Sequence, residues 1–130
     1  MIDRTQMMEP MLGACPSFRG TWDTFLRECK DKEDVPYYLA LADLARHLVG
    51  MLERGDTSSF EAIFDVIERW HTDGDAYVRE AATVGLLEDL QNRNFYSSGS
   101  PDHFRKYLRA QSLTWWEKVQ RFWQTGEVIR

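Results

Sequence analysis

Asp75-Ala76-Tyr77-Val78-Arg79-Glu80-Ala81-Ala82-Thr83-Val84-Gly85-Leu86-Leu87-Glu88-Asp89-Leu90 is the stretch whose pattern decides the fold. Val78, Ala81, Ala82, Val84, Gly85, Leu86, Leu87 and Leu90 point almost all the way round a helix, which predicts a central, buried one. Asp75 stands where an N-cap is needed. Ala81, Ala82 and Gly85 predict close approach by a neighbouring helix. Glu88 follows Ala81, Val84 and Gly85 at helical spacings and so shares that small-residue side. A carboxylate there requires a partner, which makes Glu88 a structural residue in this reading.

Outward from this helix the chain reads as further helices, with no sustained apolar/polar alternation. Upstream, Phe60, Ile63, Phe64, Ile67 and Trp70 form one stripe, with Glu61, Asp65, Glu68 and Thr72 opposite. Ser58 and Glu61 have capping-box spacing. A helix over 36–53 carries Leu41, Leu44, Ala45, Leu48, Val49 and Leu52, and Gly55-Asp56 ends it. A helix running to about Lys30 places Phe18, Trp22, Phe25 and Leu26 together. A first helix, over 3–13, is interrupted by Pro10. Downstream come a loop over 94–100, a short helix over 101–110 opened by Ser100-Pro101, and a last helix over 113–124 closed by Gly126. Its aromatics, with Trp116 and Trp123 as structural anchors beside Trp70 upstream, predict docking onto the core. The expected fold class is all-α: a compact α-α packed bundle of about six or seven helices, forming one domain over 1–130.

Composition narrows the function. The 130 residues are 43% hydrophobic and 28% charged, with a net charge of −5. That is one ordinary globular domain. Residues 1–90 carry 18 acidic and 9 basic side chains, and residues 91–130 carry 3 and 7. An acidic body disfavours nucleic acid and suits a basic protein partner, although solvated helix faces account for the same charges. The charged start Asp3-Arg4 does not read as a signal peptide, and no apolar run approaches the ~20 residues of a membrane span. Cys15 and Cys29 have neither metal spacing nor a disulfide framework, so reduced thiols in a cytoplasmic protein are expected.

No catalytic residues and no cofactor are expected. There is no nucleophile elbow and no phosphate loop, and the adjacent Glu88 and Asp89 diverge by roughly 100° on a helix. His71, Asp73 and Asp75 are the best metal candidates by residue type, but a turn plus N-cap is the preferred reading and no metal is expected. His47 is placed to meet Asp43 four residues earlier. The candidate partner-binding residues are Asp73, Asp75 and Glu80, an acidic group at one turn, together with Phe95 and Tyr96. These two aromatics either stand in their loop as interface anchors or fold back over a helix end.

Two resemblances add to this. Phe60 to Trp70, followed by Asp73-Gly74-Asp75-Ala76-Tyr77-Val78-Arg79-Glu80-Ala81-Ala82, resembles one HEAT-type helical pair, over about 57–92. It does not recur at a fixed spacing. The stretch Ala82 to Asn92, and Ser112-Leu113-Thr114-Trp115-Trp116 with Phe122-Trp123, is similar to small bacterial helical proteins found at polymorphic or contact-dependent toxin loci. That likeness spans about 36–125 and implies an immunity protein that neutralises a cognate toxin domain. No binding residues are carried over from the group. The alternative is a helical adaptor or regulatory scaffold with an endogenous partner.

Overall fold

The computed structural model describes residues 1–130. The chain folds into helices without strands: α1 (Met8–Ala14), α2 (Arg19–Glu28), α3 (Tyr37–Glu53), α4 (Phe60–Asp73), α5 (76–90) and α6 (Ala110–Thr125). Short 3₁₀ segments precede α2 (Pro16–Phe18) and fill the connection from α5 to α6 (Arg93–Phe95 and Pro101–Tyr107). Helix α5 runs as Ala76–Glu80, a π-helical segment Ala81–Leu87, and Glu88–Leu90. The all-α expectation holds. No helix is long and apolar enough to cross a membrane.

Thirty buried hydrophobic residues form one core. Helix α5 lies at its centre and packs most extensively on α3, with α4 and α6 also against it. The helical pair expected over 57–92 is present as α4, a turn at Gly74, and α5. Asp75 caps α5 by accepting from Val78 N at 2.9 Å.

Several local expectations are corrected. The first helix starts at Met8, not residue 3, because Asp3 folds its own turn by accepting from Thr5 N at 2.9 Å. Pro10 then falls in the first helical turn, where its missing N–H breaks no bond. Leu26 turns outward at 37% exposure. The Ser58–Glu61 capping box does not form: the helix opens at Phe60, and neither Ser58 nor Ser59 supplies a side-chain cap. His47 meets the Ser17 hydroxyl at 2.8 Å, while Asp43 pairs with Arg46 at 3.3 Å. The final helix starts three residues early because Glu68 of α4 caps it. Its carboxylate accepts from Gln111 N at 3.0 Å and Ser112 N at 2.9 Å.

Two interior polar contacts hold α4 in place. The Trp70 indole donates to Met7 O at 3.0 Å, fixing α1 across it. His71 bonds Ile67 O through Nδ1 at 2.9 Å and the Thr83 hydroxyl through Nε2 at 3.0 Å, tying α4 to the π segment. At the N-terminus, Ile2 donates to Asp73 O at 2.8 Å and accepts from Asp75 N at 2.9 Å. This forms a parallel bridge across the Gly74 turn.

The Gly74 turn has no room for a side chain: a Cβ there would stand 2.3 Å from Trp70 O and 2.7 Å from Val78 Cγ1. Gly74→Ala is therefore expected to destabilise the protein by about 1–3 kcal/mol in urea unfolding. Gly20→Ala, on exposed α2 with nothing within 4 Å of its Cβ, is expected to stabilise by about 0.4–1 kcal/mol.

His71 gives a pH dependence of known sign. Burial is the main cause holding it below its ordinary value of 6.5, against the Ile67 hydrogen bond and the Glu68 charge. The unfolded chain therefore takes up the proton first, so stability is full above about 6.5 and declines as pH falls through the folded-state value. His47 acts in the same direction, through burial and then the Arg54 charge. The wild type is expected to lose stability as pH falls below about 6.5, and His71→Gln to lose less, by thermal unfolding at stepwise lower pH.

Candidate protein-binding face

The one outward strip of the central helix is formed by Ala76, Glu80, Val84 and Glu88, every fourth residue of α5. The first three are exposed and Glu88 is half-buried. In an α-helix each residue turns by about 100°, so steps of four drift steadily around the axis. The wider π turn advances less per residue and offsets that drift. Four side chains therefore stay in one line along a helix whose other exposed residue is Arg79.

Tyr38 of α3 forms one wall of the strip. It lies over Gly85, with its ring Cδ1 3.2 Å from where a Cβ would stand. It meets the Tyr77 ring edge-on at 6.0 Å. Leu39 beside it is 59% exposed. Trp115 of α6 forms the other wall, with Lys118 Nζ 4.2 Å from its ring centroid. On that side Arg79, Glu80, Thr83, Val84, Trp115 and Ile129 line a pocket of about 390 Å³. Thr83 forms its floor and is fixed from behind by His71.

The charges are sorted across the strip. Glu80, Glu88 and Asp89 lie along α5. Burial pushes the Glu88 carboxyl up, and the neighbouring Asp89 adds to this. Burial also raises Asp89, with Arg46 opposing. Burial and then Glu80 raise the Tyr38 phenol. Arg79 and Arg130 border the Trp115 side. A strip that alternates small apolar residues with carboxylates between aromatic walls is suited to recognising a protein surface with apolar and basic groups.

The structure separates the residues expected to bind. Glu80 lies in the strip. Asp73 is exposed at the neighbouring turn, and Asp75 is engaged as the α5 cap. Phe95 and Tyr96 are not exposed anchors: both are half-buried. Phe95 lies under Arg46, whose guanidinium carbon is 4.5 Å from its ring centroid. The Tyr96 hydroxyl donates to Leu90 O, and burial followed by the Glu53 charge pushes its phenol far up. Glu53 also accepts from Ser97 N at 2.9 Å and from Ser98 N, so the whole loop is fastened to the end of α3.

Glu88 is half-buried with no hydrogen-bonded or ionic partner. The small-residue side lies under α3, and Glu88 continues the Glu80–Val84 line instead. Trp70 and Trp116 are fully buried, as expected. The Trp116 indole N–H has no protein acceptor, and its carbonyl accepts from Gln91 Nε2 at 3.0 Å. Trp123 is 49% exposed and is not a core anchor. His71 has both ring nitrogens engaged inside the protein, so it does not converge with Asp73 and Asp75. Tyr38, Val84 and Trp115 were absent from the residues expected to bind. The spacing of Glu80, Val84 and Glu88 was visible in the sequence, but the π turn that keeps them aligned was not.

Searches of curated proteins and of solved structures give no match. Residues 8–124 match the family model described as Domain of unknown function (DUF7674), and the chain belongs to that family.

Proposed function

We propose that the protein is an immunity protein that binds a cognate bacterial toxin domain through the outward strip of α5 and blocks it by occupancy and charge. The observation that carries this reading is Val84, an apolar residue 38% exposed between Glu80 and Glu88 on the central helix. A rigid helix needs little ordering on binding, which favours tight association. The acidic residues along it steer a basic partner and speed encounter. The resemblance of the 82–92 and 112–123 segments to proteins of toxin loci supplies the class of partner. An adaptor with an endogenous partner would use the same face, and the partner's identity separates the two readings.

Co-expression with candidate toxin domains from the source genome tests the proposal. The wild-type protein is expected to keep cells alive. Glu80→Arg combined with Val84→Arg is expected to abolish protection and weaken binding at least ~30-fold, about 2 kcal/mol. Its melting temperature should stay near wild type, because both positions are exposed. Asp23→Arg, an exposed charge reversal on α2, is expected to protect fully. Death despite soluble wild-type protein would remove the immunity reading. Full protection by the double variant would remove this face.

A further inference from the structure

The end of α5 and the end of α6 enclose a second cleft, of about 510 Å³, remote in chemistry from the binding strip. Its one large apolar wall is the half-exposed Trp123. The rest is polar. Asn94, Gln120, Gln124, Arg93 and Asp102 all line it, and none of their side chains has a hydrogen bond or ion pair within the protein. The surrounding frame is fixed. Gln91 is tied to Trp116 O, Asn92 Oδ1 accepts from Asn94 N at 3.0 Å, and Ser100 Oγ accepts from Asp102 N at 3.3 Å. Five polar side chains without a partner in the protein, four of them exposed and Gln120 half-buried, thus stand around one indole.

We propose that this cleft binds a carbohydrate, a neutral mono- or disaccharide. Its volume lies within the range of small-molecule sites. A pyranose has an apolar C–H face, which an indole accepts by stacking, and a rim of hydroxyls that both donate and accept. Side-chain amides have the same dual capacity, which suits three of them to that rim. The Asp102 carboxylate can accept from two neighbouring hydroxyls, and the Arg93 guanidinium can donate to two. One anion opposite one cation leaves the cleft without net charge, which favours a neutral ligand over a phosphate. An apolar ligand would leave five polar groups desolvated and unpaired. A nucleobase would use the indole but few of the surrounding donors and acceptors.

The test is NMR observation of the tryptophan indole N–H signals of the full chain. Maltose, cellobiose, lactose and N,N′-diacetylchitobiose would be titrated separately, with adenosine and uridine as rivals. At least one disaccharide is expected to move the Trp123 signal with a Kd of about 1 mM or tighter. Asp102→Asn is expected to weaken that binding ~10-fold through loss of a charged hydrogen-bond acceptor. Trp123→Ala, at a half-exposed position that leaves the core intact, is expected to remove the response at the remaining indoles. No movement with any saccharide at ~20 mM, far above the expected Kd, would overturn the proposal. So would a response to nucleosides alone, or saccharide binding that survives Trp123→Ala.

Discussion

The close approach of α3 to α5 is the constraint on which the remaining packing rests. At position 85 there is no side chain, and a Cβ would meet Leu41 Cδ1 at 3.0 Å and the Tyr38 ring at 3.2 Å. Ala81 and Ala82 keep the same helix slim nearby, and both are fully buried. With α3 seated there, α4 and α6 cover other sides of α5, and most of the central helix loses contact with water. Hydrophobic burial thus decides the architecture, and the smallest residues decide how tightly it closes. The same seam sets Tyr38 beside the exposed line, so the wall of the binding face follows from the packing of the core.

Polar groups then fix what apolar packing leaves loose. His71 joins α4 to the π segment from inside, and Glu68 of α4 supplies the first free amides of α6 with an acceptor. For Glu68 burial raises the carboxyl, but the hydrogen bonds from Ser112 and Gln111 outweigh it and hold it below its ordinary value. The first amides of a helix have no partner within it, so this contact helps to set where α6 begins. Glu53 does comparable work for the loop after α5. Glu53 and Glu68 each reach across more than 40 residues, the one to position a loop and the other a later helix.

Much of this was legible in the sequence, where it depends on periodicity and local caps. The all-round apolar character of 78–90 announced its central place, and Asp75 announced its cap. The stripe Phe60 to Trp70 set the buried side of α4. What escaped was long-range or geometric. Glu68 read as part of a solvated acidic face, because only folding brings residue 111 beside it. Tyr96 read as a candidate anchor, because its acceptor at Leu90 depends on how the loop turns back. Trp123 read as core, although it lies seven residues beyond the buried Trp116, just short of the end of α6, where the covering elements have stopped. Glu88 read as enclosed because a regular helix was assumed through a segment that widens into a π turn.

The bridge between Ile2 and the Gly74 turn has a consequence for how the chain assembles during synthesis. The opening residues find their backbone partners only at positions 73 and 75, and Met7 meets Trp70 across a separation of 63 residues. Made before these partners, the arm cannot form its backbone bonds until some seventy further residues have followed it. Loop closure of that length is entropically expensive before the helices have gathered. This arm is accordingly secured late, and its docking locks the turn that leads into the central helix.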